Sequence, residues 1–409
     1  MNQWLNAHTS SVIKLAEYIF SHPETAYQEV LSSQCLIHFL ESEGFAITAP
    51  VANIDTAFCA TWGEGSPVLG FLAEYDALPE LGHACGHNLL GSGVVGAACD
   101  LKDRMIRENL KGTIKVFGCP AEEILSGKIK MKDAGLFNDI DTAITWHPFD
   151  RNRISNDIWQ SQDIKNYTFH GISAHASKNP DKGRSALDAA ELMNIGVNYL
   201  REHVPTDVRM HYAYLDNRIP ANVVPDYAKT NYFIRSSKRA LTEEVSKRVD
   251  ACAQGAALMT GTTVDIELVS YCKEMKLNST LNHLFFEVMK ELEVPSYTEA
   301  ELSFAAKISE EINPNASSPL FTGLEPLEDS PVPIAIGTDV SEISHDIPTI
   351  TISAATMCKG TPLHHPAAAA QAGMSIGHKG MIYAAKIMSN GAYKLIQNPE
   401  IIHEAKKEI

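Results

Sequence analysis

The sequence predicts an α/β protein with a mixed, mostly parallel sheet flanked by helices, into which a compact βαββαβ unit of the split-βαβ kind is inserted. Three observations predict it. Helical and strand-like patterns alternate through the N-terminal part of the chain. Three apolar strands there run into polar loops bearing His, Cys or Glu, as the carboxyl ends of strands in open α/β sheets do. From about Asp163 the order changes to β-α-β-β-α-β.

The elements follow in order. Apolar residues at helical spacing (Leu5, Val12, Ile13, Leu15, Ile19, Phe20) predict a helix over Leu5–Ser21 that stops at His22-Pro23. A second helix is expected over Gln28–Glu43, ending at Gly44, then strands near Ala57–Thr61 and Val68–Ala73. Leu89–Asn109 reads as a helix opening with small residues. The strand Thr113–Gly118 leads into Cys119-Pro-Ala-Glu-Glu123, and the strand Ala143–Trp146 into His147-Pro148. The inserted unit is expected as strand Tyr167–Gly171, helix Ser185–Glu202, strands Val208–Leu215 and Tyr227–Ile234, helix Thr242–Leu258 and strand Thr263–Val269. After it come a helix over Leu281–Leu292, strand signals at Ile334–Ile336 and Thr349–Ser353, and one long helix over Ala368–Asn390. Ser309–Pro331, with four prolines, reads as a surface loop. The expected domains are 1–162, the first part of a catalytic domain; 163–273, the insertion; and 274–409, the second part.

Composition narrows the partners. The 409 residues are 44% hydrophobic and carry a formal net charge of −16, with no Lys/Arg stripe, so neither nucleic acid nor an anionic membrane is expected as a partner. No run of apolar residues is long enough to span a bilayer, and Lys14, Glu17 and His22 interrupt what a signal peptide would keep apolar. The eight cysteines are scattered without a Cys-x-x-Cys pair, which fits a reducing compartment; the cytoplasm is the expected location.

The chemistry gathers in four segments. Leu81-Gly-His-Ala-Cys-Gly-His-Asn-Leu-Leu90 places His83, Cys85 and His87 at every second position, and imidazole and thiolate suit zinc and its neighbours. Pro120-Ala-Glu122-Glu123 follows a strand. Adjacent carboxylates are also what a solvated helix start carries, but two neighbouring glutamates can divide labour, one binding metal and the other taking a proton from water. Thr145-Trp-His147-Pro148 and Leu363-His364-His365-Pro366 supply further imidazoles. Together these segments offer Cys85, His87, Glu123, His147 and His364. Five protein donors are too many for one open tetrahedral ion and suit two ions that share a ligand, with the Cys85 thiolate a candidate bridge.

These motifs, with Glu74-Tyr-Asp-Ala-Leu-Pro79 and Ile376-Gly-His-Lys-Gly-Met381, resemble the metallopeptidase/aminoacylase family, in the amidohydrolase branch that holds the hippurate, auxin-conjugate and p-aminobenzoyl-glutamate hydrolases. The resemblance covers nearly the whole chain. It implies a zinc-exopeptidase-like catalytic domain with a lid/dimerisation insertion, and a homodimer formed through that insertion. By resemblance Cys85, His87, Glu123, His147 and His364 hold two divalent metal ions; the donor types favour zinc or manganese, with cobalt or nickel as alternatives. Glu122 is the general base, and His83 sits behind the ligands. Many relatives have Asp where this chain has Glu74 and Asn88, departures that remove no ligand. His175, in Gly171-Ile-Ser-Ala-His175, resembles a histidine that in relatives reaches a neighbouring subunit's active site and stabilises the oxyanion. Asn222, in Ala221-Asn-Val-Val-Pro225, and Arg235 are the candidate grips for a substrate carboxylate. Asp339 and His345 fall in a loop that lines the substrate cleft in this branch or is a polar surface loop.

The function implied is hydrolysis of an amide bond to an amino acid, in a small substrate with a free carboxylate: an N-acyl amino acid, a p-aminobenzoyl-glutamate-like compound or a dipeptide. Two alternatives stand beside it: a metal-binding protein of the same fold without hydrolase activity, and a metal-free hydrolase with Cys85 as nucleophile.

Overall fold

The computed structural model describes residues 2–216, 220–314, 318–328, 330–331 and 333–409. Two compact units are built from them. The first comprises Met1–Asp157, Lys276–Val332 and Glu342–Ile409; the second, Ile158–Met275 and Pro333–Ser341.

A seven-stranded sheet forms the centre of the first unit, in the order Ala46–Thr48, Phe58–Glu64, Gly112–Cys119, Val68–Glu74, Thr142–Phe149, Thr349–Ala355 and Arg153–Ile154. Its four middle strands are mutually parallel, while the first two and the last are antiparallel to their neighbours. The sheet is thus mixed and mostly parallel, as expected. The strand Thr142–Phe149 is buried at seven of its eight positions. A parallel strand covered on both faces is largely apolar rather than alternating; Ala143, Ile144 and Trp146 supply that, and the buried Thr145 hydroxyl donates to the Leu72 carbonyl at 3.0 Å.

Helices Gln3–Ser21, His87–Glu108 and Ser375–Gln397 pack with the sheet around one core that includes Leu5, Val94, Trp146, Ile352 and Met388. The helix His87–Glu108 buries every residue from His87 to Lys102. Its glycines permit this: a Cβ on Gly91 would lie 2.6 Å from the Glu74 carbonyl oxygen. No helix of the described residues is long and apolar enough to cross a membrane.

The second unit is a four-stranded antiparallel sheet in the order Thr263–Cys272, Ser161–His170, Tyr227–Ser236 and Arg209–Asp216, with helices Ala186–Leu200 and Arg239–Thr260 packed against it. Tyr227–Ser236 alternates strictly between partly and fully buried positions, the period of two that a sheet with one covered face imposes.

Several boundaries differ from expectation. The strand expected to end at Trp146 continues to Phe149, because Thr349–Ala355 pairs alongside it through Ser353 opposite His147 and Ala355 opposite Phe149. His147 therefore stands on the strand rather than in a loop after it. The single helix expected over Ala368–Asn390 is two, Pro366–Ala372 and Ser375–Gln397. At the break a Cβ on Gly373 would meet the Phe20 ring at 2.5 Å. The expected loop Ser309–Pro331 begins inside a helix, Glu299–Ile312, started by a capping box between Thr298 and Glu301; residues 315–317 and 329 of that stretch lie outside the described residues. The strand signal at Ile334–Ile336 is a two-residue strand, Pro333–Ile334, paired in parallel with Ile158–Trp159. That pairing, and a 2.7 Å hydrogen bond from Gln160 N–H to the Ile336 carbonyl, put Pro333–Ser341 in the second unit, although it falls within the 274–409 segment expected to be catalytic.

Candidate metal centre

The site grows from the carboxyl ends of the parallel strands. Val68–Glu74 ends on Glu74, and Asp76 follows two residues on. Gly112–Cys119 delivers Glu122 and Glu123 in a short 3-10 turn, and Thr142–Phe149 carries His147. Cys85 and His87 lie where the chain turns from a loop into the helix His87–Glu108. Gly86, between them, has φ 75°, and a Cβ there would meet the Pro148 ring at 2.8 Å. Only glycine fits both the left-handed backbone and the close approach. His364, just before the helix Pro366–Ala372, is also left-handed, with φ 57°, and its N–H donates to the Ala84 carbonyl at 3.2 Å.

These elements bring all five expected ligands together. Donor atoms of Cys85, His87 and His147 lie within 4.8 Å of one another, and so do those of Cys85, Glu123 and His364. Cys85 belongs to both sets, the arrangement a shared thiolate requires. A third set, Glu74, His87 and Glu122, meets the same limit.

The surroundings orient the imidazoles. His87 Nδ1 lies 2.8 Å from Asp76 Oδ1, and His147 Nδ1 lies 2.8 Å from the Pro148 carbonyl oxygen. An acceptor on Nδ1 holds the proton there and leaves Nε2 with its lone pair for a metal. His147 Nε2 accordingly faces Cys85 Sγ at 3.5 Å, and His364 Nε2 lies 3.1 Å from Glu123 Oε2. Within the donor sets, His87 Nε2, Glu123 Oε1 and Glu74 Oε2 are buried without a hydrogen-bond partner. Buried polar atoms are rarely left so, and each of these belongs to a residue of one of the donor sets. Thiolate, imidazole and carboxylate are the donor types divalent zinc and its neighbours take, so the residues present fit such ions.

Burial opposes charge on His87, but Cys85 and Asp76 raise its pKa well above the ordinary imidazole value. Burial and the neighbouring His87 lower His147. Burial would raise Glu123, yet the hydrogen bond from His364 and the adjacent imidazoles hold it below the usual carboxylate value. His364 is raised in turn, first by its hydrogen bond to Glu123. Burial pushes the Cys85 thiol up, while His87 beside it pulls the other way.

His83 turns away. Its Nε2 meets the Ile19 carbonyl at 3.1 Å, and burial, then His87, lower its pKa to about 4, leaving a neutral ring against Phe20. Asn88 donates to the Ala16 and Ala372 carbonyls and ties helices together.

In the second unit His175 and Asn222 stand side by side: His175 bridges to Val223, and the Ala176 N–H donates to the Asn222 carbonyl at 3.0 Å. His175 Nδ1 accepts from the Ser177 and Lys178 N–H groups, both at 3.2 Å, which places its proton on Nε2. Arg235 is not with them. It lies near the far end of the strand Tyr227–Ser236, donates to the Ala335 carbonyl at 3.1 Å, and leaves its buried Nε without a hydrogen-bond partner. Burial lowers its pKa. Asp339 is fully buried, so it is no surface-loop residue; His345 is half-buried.

Three residues escaped the sequence reading. Asp76 orients His87 and with its other oxygen accepts the Glu123 N–H at 2.9 Å. Lys128, fully buried, pairs with Glu74 at 2.7 Å. Glu29 accepts from Ala121 N–H at 2.9 Å and from Thr56 Oγ1 at 3.0 Å, securing the turn that presents Glu122. The one sequence signal was the pair of strand-end acids, Glu74 and Asp76, two residues apart.

No family model matches the chain. Over 436 aligned residues it is 34% identical to one of the components of the p-aminobenzoyl-glutamate hydrolase of Escherichia coli, covering 96% of this chain and 91% of that protein. It is 34% identical to the mouse (Mus musculus) Xaa-Arg dipeptidase over 62% of this chain and 61% of the dipeptidase. Among solved structures it resembles a dinuclear metal-binding peptidase from Bacillus subtilis, with a TM-score of 0.63 at 20% identity over 96% of this chain and 99% of that one.

Proposed function

The chain belongs to the metallopeptidase/aminoacylase family of these amidohydrolases and dipeptidases, and from that premise we propose that it hydrolyses an amide bond to an amino acid in a small substrate bearing a free carboxylate. The observation that carries the reading is the pair of donor sets sharing Cys85, with Glu122 beside them and 7% exposed.

Cys85, His87 and His147 would hold one divalent ion, and Cys85, Glu123 and His364 the other, zinc or manganese before cobalt or nickel. Bound there, the ions would polarise the amide carbonyl and bring the pKa of a water toward neutrality. Glu122, whose carboxylate lies 3.9 Å from His87 Nε2, takes the proton from the attacking water and returns it to the leaving amine. His175 presents its Nε2–H to the oxygen on which negative charge develops. Asn222 and Arg235 receive the substrate's polar ends, with the planar guanidinium suited to a carboxylate.

The same reading includes a homodimer through the second unit, and the spacing within that unit supports it. Eight residues of extended strand separate Tyr227 from Arg235, about 27 Å at about 3.4 Å per residue, and Asn222 lies beyond Tyr227. His175 and Asn222 therefore cannot serve the same small substrate as Arg235 of their own chain, and two copies would supply them. The strand Arg209–Asp216 pairs on one side only among the described residues, with Tyr214 and Leu215 exposed, an edge of the kind that a second copy would cover.

A metal-free Cys85 hydrolase fares worse, because a nucleophilic cysteine needs a lowered pKa and burial here raises it. The test is cleavage of p-aminobenzoyl-glutamate, N-acyl amino acids and Xaa-Arg dipeptides before chelation, after it, and after metal is restored. Loss and recovery of cleavage is the expected result. Chelator-resistant cleavage would favour the cysteine mechanism, and no cleavage by metal-loaded protein would favour a binding protein without activity.

A further inference from the structure

We infer that the cavity bounded by the helices Gln3–Ser21 and Ser375–Gln397 is a second ligand site, separate from the metal centre, that takes a small organic carboxylate with an apolar body about one ring in size. The inference goes beyond the hydrolase reading and does not depend on it.

The cavity has a volume of about 280 Å³, and its lining includes none of the five expected metal ligands and not Glu122. An apolar cavity of about 150 Å³ takes one benzene ring, so this one has room for a ring and a polar substituent. Ile13, Ile382 and Pro295 give it apolar walls. Its polar side comes from the helix Ser375–Gln397. In Ile376-Gly-His-Lys-Gly-Met381 the glycines answer to packing: a Cβ on Gly377 would lie 2.6 Å from the Gln371 carbonyl oxygen, and one on Gly380 2.3 Å from that of Ala355. His378 has no such explanation. It precedes Ile382 and Lys386 at spacings of four, which sets the three in a row on one helix face, and Tyr383 lines the same cavity.

His378 is 7% and Tyr383 3% exposed, and neither His378 Nε2 nor the Tyr383 hydroxyl has a hydrogen-bond partner. Buried polar atoms are rarely left so, and two such side chains on the wall of one cavity point to a ligand that meets them. Burial lowers the His378 pKa, against the pull of Glu17, and raises that of Tyr383 to about 12. The imidazole is therefore neutral, able to carry its proton on Nε2, and the phenol keeps its proton, so both can donate. The charge comes from Lys386. Its neighbour Lys379 is taken by Glu301 at 2.7 Å and the Ser296 carbonyl at 2.8 Å, whereas the half-buried Lys386 has no such partner among the described residues. Two donors and an unpaired ammonium on an apolar cavity suit a carboxylate. The acidic lining residue Glu293 is exposed, where solvent screens it.

The test is calorimetric titration of the full-length protein with benzoate, with and without a chelator, and with benzamide as the uncharged probe. Tyr383→Phe removes only the unpaired hydroxyl, and Lys386→Gln changes a half-buried side chain; both are checked for folding by circular dichroism. One benzoate per chain is expected, equally in chelator. Each variant should bind it about tenfold or more weakly, as should wild type bind benzamide. Amide hydrolysis by Lys386→Gln should equal that of wild type. Absence of benzoate binding would overturn the inference and leave ordered water as the partner of His378 and Tyr383. Binding abolished by the chelator would place benzoate on the metal ions, and binding unchanged in both folded variants would place it elsewhere; either result overturns the inference and leaves the hydrolase reading standing.

Discussion

Asp76 sits 2.8 Å from His87 Nδ1 through one carboxylate oxygen and accepts the Glu123 backbone N–H at 2.9 Å through the other. One side chain thereby fixes the tautomer of one expected ligand and the position of another that lies a helix and a strand further along the chain. Asp76→Asn keeps the size but cannot accept with both ends. Metal affinity measured by chelator competition is expected to fall about 10- to 100-fold, and an affinity equal to wild type would show that Asp76 does not organise the centre.

Gly86 joins Cys85 to His87 at φ 75° and lies against Pro148. Gly86→Ala forces a left-handed L-residue, about 1–2 kcal/mol, and sets a methyl into the proline ring. A loss of about 1–3 kcal/mol in chemical denaturation is expected, accompanied by weaker metal binding. A variant as stable as wild type with full metal content would mean that the loop relaxes freely.

Glu29 is fully buried, and its pKa is pushed up to about 7, first by burial. Between the unfolded value near 4.5 and about 7, the folded state holds the extra proton. This contribution to stability is therefore present in full below about pH 4.5 and is lost as pH rises toward and past 7. Glu29→Gln removes the titration. The melting temperature of wild type relative to Glu29→Gln should fall between about pH 5 and about pH 8, and a constant difference would place the Glu29 pKa at its ordinary value.

If His175 acts on the partner's site, two inactive variants complement each other. Glu122→Gln and His175→Ala homodimers should each be nearly dead. Mixed dimers should regain activity, because one of their two sites combines an intact Glu122 with an intact His175 from the other chain. Without shared sites, mixing after subunit exchange yields no activity.

Legibility in the sequence divided along physical lines. Cys85, His87, Glu123, His147 and His364 were readable because ligand types at strand ends and helix starts are local signals, and the structure gathers all five. What holds them was not readable. Asp76 with Glu123, Lys128 with Glu74 and Glu29 with Ala121 are contacts between residues far apart in sequence, and no spacing rule announces them. The continuation of a strand through His147 and Pro148 depends on Thr349–Ala355 lying alongside, and the return of Pro333–Ser341 to the second unit on a two-residue pairing. Both are decided by tertiary packing. The break at Gly373 is a close approach to Phe20, where helical periodicity alone runs straight through.

The most direct measurement is the turnover of Glu122→Gln with its metal content determined on the same sample. A fall in kcat on the order of 10²–10⁴, with two ions still bound per chain, is the expected result. Turnover within a few-fold of wild type at full metal content would contradict the assignment of Glu122 as the base, and with it the proposed route to amide hydrolysis.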